Sequence, residues 1–250
     1  MASKIIVDQI EKTGGSLTAL TLPTSNASAS EFLQNDGAGA LSWASASAGF
    51  HNVQFITTST NPVTLTSGTT LIVIEVQGAG GCAGGSTAAG YFGGGGGAGA
   101  YALQQLTVVD TDTWNVTIGA GGVDGATRNG GDTLFAQASG SSLGSTITAG
   151  GGVGASDPGA PPHGDGGAGG TVTNVNTGNK ISLAGGNGSW GGGPKNGVDS
   201  RWGWGGKVAS AAASPGGDAT GYGAAGGEPN AYPQDGGDGG DGLVVIWEYK

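Results

Sequence analysis

From residue 50 onward, apolar and β-branched positions recur in short runs separated by turn residues. The runs VQFITT (53–58), PVTLT (62–66), TTLIVIEVQ (69–77), AYALQQLTVV (100–109), TWNVTIG (113–119), DTLFAQA (132–138), STITAG (145–150), KISLAG (180–185) and LVVIWEY (243–249) all read as strands. They are rich in β-branched Thr, Val and Ile, as strands are. The final run is the most apolar, which predicts a C-terminus tied into a sheet. The pattern predicts an all-β fold with a small β-sandwich-like framework over residues 47–250.

Residues 1–46 follow a different pattern. KIIVDQ (4–9) can form a short strand, and residues 17–22 alternate in part before Pro23. In SEFLQNDGAGALSWA (30–44) the apolar Phe32, Leu33, Leu41 and Trp43 flank a glycine-containing turn, a hairpin pattern. So short a region buries no core of its own, and it is expected to pack against copies of itself or a partner.

Between the strands lie glycine tracts at 78–100, 119–131, 149–170, 185–193, 203–206, 216–227 and 236–242. Some repeat every third residue: GDGGAGGT aligns Asp165, Ala168 and Thr171, and DGGDGGD aligns Asp235, Asp238 and Asp241. Three residues per turn is the period of an extended left-handed helix without internal hydrogen bonds. With glycine at two of every three positions, two edges carry no Cβ. Neighbouring helices can then approach closely and bond backbone to backbone. Packed polyglycine-II helices are the expected result.

Composition makes this arrangement necessary. Of 250 residues 58 are glycine, and each glycine costs about 0.5–1 kcal/mol more to order than alanine. Disorder is the competing reading for low-complexity glycine sequence. A near-normal apolar fraction of 36% and the interleaved strands weigh against it. The net charge of −10, with only 10% charged residues, argues against nucleic acid as a partner, because no basic patch is available for phosphates. A single cysteine, Cys82, leaves no intrachain disulfide. MASKIIVDQIEKTGG lacks the apolar core of a signal peptide, and no apolar run reaches membrane-spanning length. A soluble chain made in a cytoplasm, without membrane insertion, is expected.

Several motifs resemble those of glycine-rich adhesins and tail-fibre tips of tailed bacteriophages. They are TTLIVIEVQGAGGCAGG leading into YFGGGGGAGAYA, then WNVTIGAGG, NGGDTLFA and the terminal GGDGGDGLVVIWEY. The resemblance covers roughly residues 50–250. It implies a β region framing a stack of polyglycine-II-type helices, with loops at the far end that touch a host receptor. FLQNDGAGALSW resembles a short module of phage fibre proteins found where three chains join. It implies that residues 1–46 attach to other virion tail proteins or trimerise, giving a homotrimer. The chain lacks the long shaft, coiled coil or collagen run of a full fibre.

Other chemistry finds weaker footing. Gly78-x-Gly80-x-x-Ala83 follows a strand, as a dinucleotide fingerprint does, but 86–98 holds no helix pattern and no acidic residue closes a second strand. GGDTLF and GGDGGDG faintly echo calcium-binding repeats without their tandem nonapeptides. Asp235, Asp238 and Asp241 therefore read as a solvated edge, with a weak cation site as the alternative. His51 and His163 stand alone and read as surface residues, and Cys82 reads as a small filler. The acids lie mostly in glycine tracts, which look like poor frames for a raised pKa. Neither catalysis, a metal nor a cofactor is expected.

The aromatic residues carry the remaining signal. Trp43, Trp114 and Trp247 lie in strand patterns and are expected in the core. Trp190, Trp202, Trp204, Tyr222 and Tyr232 lie in connections, as do Tyr91 and Phe92 beside a strand. The stretch 185–207 looks fit for neither helix nor strand. Its rings either cap the glycine stack as a local mini-core or form a contact surface, since aromatic residues dominate binding hot spots. The contact reading names Trp190, Lys195, Arg201, Trp202, Trp204, Tyr222 and Tyr232 as receptor-binding, on loops near 154–163, 187–204 and 222–235. Together with the resemblance to phage adhesins, it implies a virion protein, assembled in the host cytoplasm, that binds a host glycan or outer-membrane protein. The alternatives are a structural virion component, such as a decoration or fibre-anchoring spike, and an ice-binding or secreted adhesive protein.

Overall fold

Short runs of β-branched residues cannot bury themselves singly, and in this chain they pair into antiparallel sheets. The computed structural model describes residues 9–10, 20–28, 31–35, 40–45, 49–87, 91–140, 144, 146–158, 163–174, 176, 178–190, 195–210, 214–230 and 232–250. The chain divides into two units, Met1–Gly49 and Phe50–Lys250. Among the described residues there is no helix.

In the first unit, β1 (Gln9–Ile10) pairs with β2 (Leu20–Thr21). Most of the strand expected at 4–9 lies outside the described residues. The expected hairpin forms from β3 (Glu31–Asn35) and β4 (Leu41–Ser45), with Leu33 opposite Trp43 and Asn35 opposite Leu41. Trp43 is half-buried rather than a core residue, and its indole Nε1 donates to Ser25 O at 2.6 Å. Phe32 and Leu33 are exposed.

The second unit holds two five-stranded sheets. One runs in the order β12 (Val172–Thr173), β11 (Ile147–Ala149), β10 (Thr133–Ser139), β9 (Thr113–Thr117), β6 (Thr60–Thr64). The other runs β13 (Lys180–Leu183), β8 (Tyr101–Thr107), β7 (Leu71–Gln77), β16 (Leu243–Tyr249), β5 (Phe50–Ile56). Every ladder is antiparallel. The terminal run is thus a central strand, as its apolarity requires. Alternation places Ile72, Ile74 and Val76 of β7 and Val244 and Ile246 of β16 on one face, packed with Trp114, Val116, Phe135 and Ile147 of the facing sheet. Trp114 stacks on Phe135 at 4.9 Å between ring centroids. This is the sandwich-like framework. Trp247 departs from the expected core position: it is half-buried, and its Nε1 donates to Glu75 at 2.8 Å.

The glycine tracts leave one end of this sandwich and pack together. Residues 78–86, which continue β7, show how. Gly78, Gly81 and Gly84 donate to Ala100, Gly97 and Gly94. Ala79 and Cys82 donate to Gly131 and Arg128, while Gly80, Ala83 and Ser86 donate to Gly240, Gly237 and Gln234. The carbonyls of Ala79, Gly80, Gly81 and Cys82 accept from Gly152, Gly122, Gly226 and Ala155. The partner changes with every residue and returns every third. One extended segment therefore bonds laterally to six others, the packing that a three-fold helix without internal bonds permits.

Glycine is a steric requirement at these contacts. A Cβ on Gly226 would lie 1.7 Å from Gly237 O, and one on Gly80 would lie 1.8 Å from Ala224 O. Where a turn of the stack leaves room, Ala79, Cys82, Ala83, Ala98, Ala224 and Ala225 fill it and are fully buried or nearly so. Cys82 is the small filler that the sequence suggested, and burial pushes its thiol pKa up to about 12.

N–H groups at the margin of the stack take a different acceptor. Gly121 donates to Asp241 Oδ1 at 2.7 Å and Asp124 to Asp238 Oδ1 at 3.1 Å. Gly151 and Gly154 donate to Asp132 and Asn129, both at 2.9 Å. Gly85, Gly169 and Gly236 find Asp157, Asn187 and Asp124. The edge that carries Asp238 and Asp241 is thus engaged with neighbouring backbone rather than simply solvated.

Candidate functional site

The hydrogen-bond register locates each aromatic residue along the stack. Gly223 sits at the sandwich end: it donates to Asp241 O, two residues before β16, and accepts from Gly99. Glu228 sits at the far end, where its N–H bonds Lys195 O and its carbonyl accepts from Ala209. Five residues at about 3.1 Å rise separate these levels by roughly 16 Å.

The seven candidate contact residues therefore fall into two groups. Trp190, Lys195 and Tyr232 lie at the far end. Trp190 is 61% and Tyr232 50% exposed, and the Trp190 ring meets His163 edge-on at 5.3 Å. His163, like His51, is half-buried, with an unpaired, buried Nδ1.

Arg201, Trp202, Trp204 and Tyr222 lie at the sandwich end. They belong to a hairpin that the sequence did not reveal: β14 (Trp202–Trp204) pairs with β15 (Thr220–Tyr222), with Trp202 opposite Tyr222 and Trp204 opposite Thr220. The stretch 185–207 thus does contain a strand. Aromatic and β-branched residues opposite one another offset the weak propensity of Gly203 and Gly221, and Gly221 adopts φ +88°. Ser200, just before β14, ties the pair together: its N–H donates to Gly203 O and its hydroxyl donates to Tyr222 O. The start of the expected 222–235 loop is corrected as well, because residues 223–229 are buried inside the stack.

Within this hairpin the side chains differ. Trp202 is half-buried and its Nε1 is buried without a partner. The Tyr101 hydroxyl of β8 donates to Glu75 Oε2 at 2.7 Å. Burial and the neighbouring Glu75 carboxylate raise the Tyr101 pKa. The Arg201 charge acts on Tyr101 in the opposite direction. Trp204, in contrast, is 73% exposed. It walls a groove of about 690 Å³ shared with Asn196, Asp199, Lys207, Asp218 and Thr220. It also borders a smaller one of about 330 Å³ with Arg201 and Trp202.

Sequence reasoning missed Glu228. Its side chain is fully buried at the far end. It accepts from Ser189 Oγ at 2.9 Å and Lys195 N at 3.1 Å, joining three segments. Burial pushes its pKa up to about 7, against the opposing pull of these donors and the Lys195 charge. A glycine tract can therefore frame a raised carboxylate pKa, because backbone packed on backbone excludes water as well as side chains do. Elsewhere in the stack, Arg128 bridges Asp124 at 2.8 Å and Asp157 at 2.6 Å.

Residues 56–249 match the model of a family described as a glycine-rich domain. No curated protein matches the chain.

Proposed function

Because the chain belongs to the glycine-rich domain family, we propose that it is a non-catalytic phage tail-fibre or fibre-tip protein that binds the host cell surface during adsorption. The receptor is a glycan or an outer-membrane protein, and residues 1–46 join the chain to other tail proteins or to its own copies as a trimer. The observation that carries this reading is the mounting of exposed rings. Trp190 and Tyr232 stand in solvent near Ser189 and Gln234, whose carbonyls accept from Gly95 and Ser86, and Trp204 stands in solvent in β14 near Gly206, which donates to Ala225. Rigid aromatic residues offer contact area at small entropic cost. The motifs resembling phage adhesins support the same reading.

The test is competition. The purified full-length chain is expected to block adsorption of the parent phage, and Trp204→Ala and Trp190→Ala are expected to weaken the block while leaving thermal stability unchanged. A collapse of stability with adsorption unaltered would instead make the rings a mini-core.

A second reading, a structural virion component, draws on one observation. Phe50, Phe55, Ile181 and Leu183 of the edge strands β5 and β13 are exposed, an apolar content suited to burial against other virion proteins. A chain that never competes for adsorption, yet whose β5 and β13 are shielded in assembled particles, would favour it.

A further inference from the structure

We propose that the groove beside Trp204 is a saccharide site that takes a neutral or amino-sugar pyranose. This rests on the surface-binding reading and names the ligand class for one place on the chain. The groove has one apolar wall, the exposed indole, held in β14 by pairing with Thr220. The Trp204 side chain is open to solvent, being 73% exposed.

The rest of the lining is polar and already oriented. Asp199 Oδ1 accepts from Gly205 N at 2.7 Å, Asn196 Oδ1 from Val208 N at 2.8 Å, and Asp218 Oδ1 from Asp238 N at 2.9 Å. Each side chain is thus fixed by one atom, leaving its second oxygen or its amide nitrogen for a ligand. Such preorganised groups lose little entropy on binding.

A pyranose ring matches this lining. Its axial C–H groups make one apolar face, which suits the indole, and its rim of hydroxyls suits the carboxylates and amide. A peptide anchor is matched less well, because an aliphatic side chain wants an enclosed apolar pocket, and no Leu, Ile, Val or Met lines the groove. Two carboxylates against the single Lys207 disfavour acidic sugars. The volume of about 690 Å³ lies within the usual range of small-ligand sites.

The test follows the indole N–H resonance of Trp204, assigned by its loss in Trp204→Ala, in the full-length protein. The probes are D-glucose, D-galactose, D-mannose, L-rhamnose and N-acetyl-D-glucosamine at millimolar concentrations, with tetramethylammonium as the rival cation. A saturable shift of this resonance by at least one sugar is expected. Asp218→Asn, which keeps Oδ1 for the Asp238 N–H, is expected to weaken that binding about tenfold, the value of one hydrogen bond. No shift with any of the sugars overturns the proposal, and so does a shift with tetramethylammonium alone. Adsorption competition separates the two readings. Failure of the sugars while wild type competes and Trp204→Ala does not leaves surface binding standing with a protein ligand. Failure of wild type to compete removes the surface-binding reading whatever the sugars do.

Discussion

In the sandwich, Ile74, Val76 and Ile246 are wholly buried against side chains of the facing sheet, among them Trp114 and Phe135. In the stack that continues it, the buried groups of residues 78–84 are peptide units, Cα carbons, two alanine methyls and one thiol. The sandwich is therefore held by apolar area removed from water, and its tolerance is set by side-chain volume. The stack is held by lateral hydrogen bonds at backbone contact distance, and it tolerates no added atom at its glycine contacts. A chain with few large apolar residues in half its length can still be rigid if its peptide groups bond to one another in three dimensions.

The largest effect expected from this difference comes from adding a single methyl. Gly226→Ala would set a Cβ 1.7 Å from Gly237 O, forcing two segments apart, and is expected to cost more than about 4 kcal/mol or to prevent folding. Its counterpart, Ile74→Ala, removes side-chain volume from the sandwich and is expected to cost about 2–5 kcal/mol. Urea unfolding of both variants checks the pair. A Gly226→Ala protein as stable as wild type would break the comparison.

The two regions also respond oppositely to pH through one buried carboxylate each. Glu228 of the stack has a folded pKa of about 7 against an ordinary 4.5, so the folded state holds its proton more tightly than the unfolded chain. Its contribution is full below pH 4.5 and is lost as pH rises to about 7. The change is up to about 3 kcal/mol, since each unit corresponds to about 1.36 kcal/mol. Glu228→Gln is expected to remove this slope, as read from urea midpoints on either side of that window. Glu248 of the sandwich is buried too, which alone would raise its pKa. Donors from Gln54, Thr66 N, Thr69 and Asn52 outweigh that and hold it below the ordinary value. Its contribution is present above the ordinary carboxylate pKa and is lost as acid brings the pH through the lowered one. Glu248→Gln is expected to flatten the acid limb only.

A smaller effect sharpens the account of the margin. Asp241→Ala removes the acceptor for Gly121 N and is expected to cost about 1 kcal/mol, whereas Asp241→Asn, which keeps an oxygen there, is expected to cost a few tenths.

How much of this was readable in the sequence follows from where the information sits. Side chains encode the sandwich, so the β-branched run at 69–77 announced β7. The spacing of Asp235, Asp238 and Asp241 announced the three-residue turn. Which segments touch was not encoded, because Gly81 meeting Gly97 and Gly226 leaves no side chain to read. The hairpin of Trp202–Trp204 was hidden by the glycine between its rings. The division of the seven contact candidates between two ends was hidden by the reversals of the tracts. Glu228 went unnoticed because its burial comes from neighbouring backbone rather than from apolar neighbours in sequence.

Amide hydrogen exchange in the native full-length chain tests the central claim most directly. If lateral bonding makes the glycine tracts rigid, the N–H groups of residues 78–84 and 223–228 will exchange as slowly as those of Ile72–Val76 in β7. Exchange in those tracts as fast as in the exposed turn at 124–127 would contradict it.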